Sequence, residues 1–112
     1  MRTVVVTDGR YRSSLAAVRA LGDAGDRVVV TQTRAESAQE PAAFLSRCTW
    51  QGRWIDGSCK DEAYADRLLS LLGTLDRPVL FCTGADTLAA VSRRRAEFAA
   101  VADFLVAPPE VL

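Results

Sequence analysis

Apolar residues along this chain fall into short β-branched runs that alternate with stretches of helical period. Thr3-Val4-Val5-Val6-Thr7 has no polar alternation, which predicts a strand buried on both faces. Asp8-Gly9-Arg10 is a turn-like cluster, and Ser13 or Ser14 can cap a following helix that carries Leu15, Val18 and Leu21 on one face. Gly25 is placed to end that helix in a left-handed cap, and Arg27-Val28-Val29-Val30-Thr31 is a second buried strand. Two such strands joined through a helix should lie parallel, with a right-handed crossover.

The next stretch, Gln32 to Ala43, is polar, rich in alanine and interrupted by Pro41, and reads as a loop with a helical turn. Thr49 to Ile55 is a weaker third strand; Gly52 and two tryptophans within it favour a place near the sheet edge. Trp50 and Trp54 are an even number of residues apart, so they should share a face and serve core or interface packing. Asp61 to Leu72 is amphipathic, with Ala65, Leu68, Leu69 and Leu72 on one stripe and Gly73 as a stop. Pro78 to Cys82 is a fourth strand. After Thr83-Gly84-Ala85-Asp86-Thr87, Asp86 or Thr87 can cap a helix bearing Leu88, Val91 and Phe98, and Phe104-Leu105-Val106 is a fifth strand. The result is one α/β domain over residues 1–112: an open parallel sheet of about five strands with helices on both faces, Rossmann-like, in the order 3-2-1-4-5.

Composition narrows the function. Lys and Arg together number 14, as do Asp and Glu, so a formal net charge of zero argues against nucleic-acid or anionic-membrane binding. The same balance leaves self-association, such as a homodimer, unopposed. There is no histidine, which removes the commonest general base and metal ligand. Cys48, Cys59 and Cys82 have no metal-binding spacing, and an odd count fits a reducing compartment; Cys82 reads as a small core residue. With neither a leader-like segment nor a membrane-length apolar run, the expected location is the cytoplasm. Arg93 to Arg95 reads as a solvated helix face.

In an open parallel sheet, ligands lie beyond the carboxyl ends of the strands where the order reverses. Here that point falls between the first and fourth strands and brings Asp8-Gly9-Arg10 beside Gly84 to Thr87. Two readings stand. In one, Asp8 and Asp86 are turn formers or helix caps and Arg10 is solvated. In the other, Asp8, Gly9, Arg10, Ser13, Gly84, Asp86 and Thr87 surround a small anion at two helix ends. A single glycine in the first loop and the lack of a phosphate-loop signature speak against a dinucleotide. No residue is assigned a catalytic or metal-binding role.

Thr7-Asp8-Gly9-Arg10, then Ser14 through Gly22 and Gly25 before a valine-rich strand, resembles the opening of ATP-grasp carboxylate–amine ligases related to the carbamoyl-phosphate synthase large subunit. Ser46-Arg47-Cys48, Gly84-Ala85-Asp86-Thr87-Leu88 and Pro108-Pro109-Glu110-Val111-Leu112 resemble later stations of the same N-terminal, or pre-ATP-grasp, domain. Cys82-Thr83 stands where a proline-containing turn is common, and Cys48 where an aromatic is usual. The resemblance implies a domain that packs on downstream ATP-grasp domains, which hold ATP and magnesium, and that has no cofactor of its own. It implies an expectation that the chain is part of a longer protein and is inactive in isolation. The alternatives are a free-standing module binding a small anion or nucleotide, and a non-catalytic dimerisation domain.

Overall fold

The computed structural model describes residues 1–104. Along the chain run β1 (Thr3–Val6), α1 (Arg12–Asp23), β2 (Arg27–Thr33), α2 (Ala42–Leu45), β3 (Thr49–Ile55), α3 (Tyr64–Gly73), β4 (Val79–Phe81), α4 (Ala85–Arg93), α5 (Arg95–Val101) and β5 (Asp103–Phe104). The strands form one open sheet in the order β3-β2-β1-β4-β5, every neighbouring pair parallel. Leu105 and Val106 of the expected fifth strand, and the run Pro108 to Leu112, lie outside the described residues.

Period-two alternation within the valine runs divides the core between two faces. Val4, Val6, Val28 and Val30 pack with Val18 of α1 and Ala43 of α2. Val5, Val29 and Leu80 pack with Leu68 and Leu72 of α3, Val91 of α4 and Phe98 of α5. Because both faces are covered, the central strands carry no polar face, which is why they read as unbroken apolar runs. Among the described residues no helix is long and apolar enough to cross a membrane.

Several boundaries differ from the sequence expectation, each for a local reason. The first helix begins earlier: Tyr11 is its N-cap residue, and Ser13 and Ser14 lie inside the first turn. Its end is as expected, with Gly25 left-handed (φ 93°) and the Asp26 N–H reaching back to the Leu21 carbonyl. The third helix starts at Tyr64 because the Asp61 carboxylate folds back onto the Ser58 N–H (2.9 Å), closing a turn ahead of it. A single helix was expected from Asp86 past Phe98, but Arg94 (φ −125°, ψ 38°) divides it. Arg94 forks onto Glu97 (2.6 and 3.0 Å) and reaches Asp66 of α3 (2.7 Å). Those hydrogen bonds raise its pKa, Glu97 contributing first, so the middle arginine of the triple braces two helices. Arg93 and Arg95 remain exposed. Leu88, expected on the apolar stripe, is 45% exposed.

Strand β3 is an edge strand, paired only with β2 among the described elements. Its register shifts between Val28 and Val29, which oppose Thr49 and Gln51 and leave Trp50 as the extra residue of a bulge. The bulge breaks the alternation on which a shared tryptophan face depends. Trp54 meets the Phe44 ring edge-on at 5.3 Å, whereas Trp50 lies under the Arg27 guanidinium (4.3 Å to the ring centroid). Gly52 gives Phe44 its seat: a Cβ there would come within 2.6 Å of the ring.

Candidate functional site

The pairing of β1 with β4 sets the loops that follow them side by side at the carboxyl end of the sheet. Asp8 adopts a left-handed conformation (φ 57°), which a short polar side chain tolerates better than most, and it is only 5% exposed. Gly9 then passes close to the sheet: its N–H donates to the Thr31 carbonyl (3.0 Å), and a Cβ would stand 2.7 Å from Val30. This bend swings the Asp8 carboxylate across to the other loop. Its Oδ2 accepts from the Thr7 hydroxyl (2.7 Å), the Thr87 hydroxyl (2.7 Å) and the Gly84 N–H (3.1 Å).

Gly84 is the N-cap residue of α4, so the carboxylate stands at the positive end of that helix. Only glycine permits the approach, since a Cβ at Gly84 would lie 2.7 Å from Oδ2. The loops are pinned a second time by hydroxyls. Ser14 donates to the Asp8 carbonyl (2.6 Å) and lies 2.8 Å from the Thr83 hydroxyl, which donates to the Thr7 carbonyl (2.8 Å). The Thr83 N–H donates to the Thr7 hydroxyl (3.2 Å).

Of the seven residues singled out in the sequence, the structure brings Asp8, Gly9, Gly84 and Thr87 together. Arg10 is turned away from them. Its guanidinium donates to the Glu36 carbonyl (2.7 Å) and the Tyr11 hydroxyl (2.7 Å), and its backbone N–H donates to Gln32 Oε1 (3.0 Å). The Tyr11 hydrogen bond raises the Arg10 pKa, against the effect of burial. Ser13 is exposed on α1, and Asp86 is exposed in the first turn of α4 and makes no side-chain cap. Asp8 therefore forms its own turn and also caps a helix 76 residues further along the chain, counted to Gly84.

The participants missed in the sequence are the hydroxyls of Thr7, Ser14 and Thr83 and the polar end of β2, where Thr31, Gln32 and Thr33 are all buried. Their signal was present: Thr7 follows the apolar run of β1, Thr31-Gln32-Thr33 ends that of β2, and Thr83 comes two residues after β4. Below them, burial opposes ionisation of Glu36, but hydrogen bonds from Cys59 and Ser58 outweigh it and hold the carboxyl below its ordinary range. The Cys59 thiol is pushed up to about 12 by burial and by Glu36, and Cys82 up to about 12, chiefly by burial. Both thiols stay protonated at neutral pH and are poor nucleophiles. Among the described residues no group of three or more His, Cys, Asp or Glu is placed to hold a metal ion.

The geometry amounts to a rigid joint between two loops, closed around an internal carboxylate. The sequence matches no protein-family model and no curated protein.

Proposed function

We propose that this chain is the N-terminal, pre-ATP-grasp domain of an ATP-dependent carboxylate–amine ligase of the carbamoyl-phosphate synthase-like kind. It serves as scaffold and substrate-side wall, works in the cytoplasm, and leaves ATP and magnesium to domains downstream in the same polypeptide. The observation that carries this reading is the Asp8 carboxylate seated on the N-terminus of α4. An anion at the switch point of a Rossmann-like sheet faces the N-termini of the helices that follow the two flanking strands, and that of α4 is one of the two. Here the end is already neutralised, and a second anion would meet both the carboxylate's charge and a filled volume. The crevice residues thus do not fit a magnesium nucleotide, and none is assigned to one. The sheet order and the motifs resembling the ATP-grasp opening agree with the reading.

A free-standing module for a small anion is the weaker reading, because Arg10, its natural clamp, is engaged with Glu36 and Tyr11. The test is to express the gene-encoded polypeptide that carries these residues and to follow ADP release with magnesium, a carboxylate panel and an amine panel. Turnover is expected from that polypeptide and none from residues 1–112 alone. ATP hydrolysis by the isolated chain, abolished by Asp8→Ala, would overturn the proposal.

A further inference from the structure

Five large apolar side chains are prominently exposed among the described residues, and three of them gather on one flank: Met1 (92%), Leu45 (72%) and Trp50 (48%). Leu45 borders a groove of about 560 Å³ between α1 and the turn that follows α2. Met1 and Trp50 border a second, of about 420 Å³, at the amino ends of the strands. Arg47 and Cys48 line both, so the two adjoin. Single exposed apolar residues are ordinary, but a contiguous set marks a contact surface. This flank includes the β3 edge and lies at the opposite end of the strands from the Asp8 joint.

Charge identifies the occupant. Arg19, Asp23 and Arg47 rim the first groove, and none makes an ion pair with another described residue. A two-fold contact sets a patch against itself, so a patch that carries both signs can satisfy its own charges across the axis. An acidic or a basic partner would leave one of those signs opposed. We infer that this flank is the contact surface of a two-fold homodimer. Leu45 and Trp50 of each copy are buried against the other copy, and Asp23 meets an arginine across the axis. The bulge at Trp50 interrupts the regular edge of β3, so side chains make the contact and the sheet is not extended through it. The inference is independent of the ligase reading, which concerns the other end of the sheet.

Sedimentation of residues 1–112 and of four variants tests it. The unmodified chain is expected to dimerise at micromolar concentration. Leu45→Glu and Trp50→Glu should each weaken association by roughly tenfold or more, as for central apolar contacts. Leu88→Glu, at the exposed apolar residue on α4, should leave it unchanged. Circular dichroism separates lost contact from lost fold, and the exchange Asp23→Arg with Arg47→Asp should retain the dimer. A monomeric unmodified chain would overturn the inference. So would association that survives both Leu45→Glu and Trp50→Glu, or that is lost in Leu88→Glu alone.

Discussion

Asp8→Ala is expected to destabilise the domain by about 3 kcal/mol, a large share of the stability of a chain this size. The change deletes the buried acceptor of the Gly84 N–H, which has no other partner among the described residues, and leaves the Thr87 hydroxyl to the Gly84 carbonyl (2.9 Å). It also removes a negative charge from the start of α4, and it places alanine at a left-handed position that aspartate tolerates better. Asp8→Asn keeps an acceptor oxygen and the same conformational tolerance, so its cost should be smaller, about 1 kcal/mol. Urea unfolding followed by circular dichroism separates the two. A loss below about 1 kcal/mol for Asp8→Ala would mean that the carboxylate does not hold the loops together.

The second large effect is alkaline unfolding. Burial keeps the Tyr64 phenol neutral well above its ordinary value, and the Cys59 and Cys82 thiols are pushed up to about 12. In the unfolded chain the thiols ionise near 9. Above that pH the unfolded state releases protons that the folded state retains. The stability these groups contribute is therefore fully present below about pH 9 and is lost as pH climbs toward about 12. A melting series should show a steep fall in Tm across that window. Tyr64→Phe keeps the buried ring while removing the ionisable hydroxyl, so its alkaline midpoint should lie higher than that of the unmodified chain. A fold that persists unchanged to pH 12 would contradict the burial of these groups.

The architecture was legible because its signal is physical and local. Val4 to Val6, Val28 to Val30 and Leu80 are apolar on both sides, which only a covered parallel sheet explains, and strand order follows from connections through helices. The left-handed turn at Gly25 was equally plain. What local pattern could not supply was the direction of individual side chains. Arg10 follows a turn that can aim it either way, and the Glu36 carbonyl that captures it comes from a loop with no periodic signal. The break at Arg94 depends on Asp66, distant in sequence, so helical periodicity ran through it unmarked. The bulge at Trp50 likewise arises from pairing with β2, and only the glycine beside it hinted that the strand was irregular. At the site itself, the positions of Asp8 and Gly84 were foreseen, but their mutual contact was not, since a carboxylate capping a remote helix leaves no sequence spacing to read.

The central claim is that the switch-point crevice is closed by the chain's own carboxylate. Amide chemical shifts of the isolated chain, titrated with millimolar phosphate and then with magnesium ATP, test it most directly. The expected result is no saturable change at Gly9, Gly84 or Thr87. Saturable shifts at those amides, accompanied by release of Asp8 from the Gly84 N–H, would show the crevice to be a ligand site and would contradict the account.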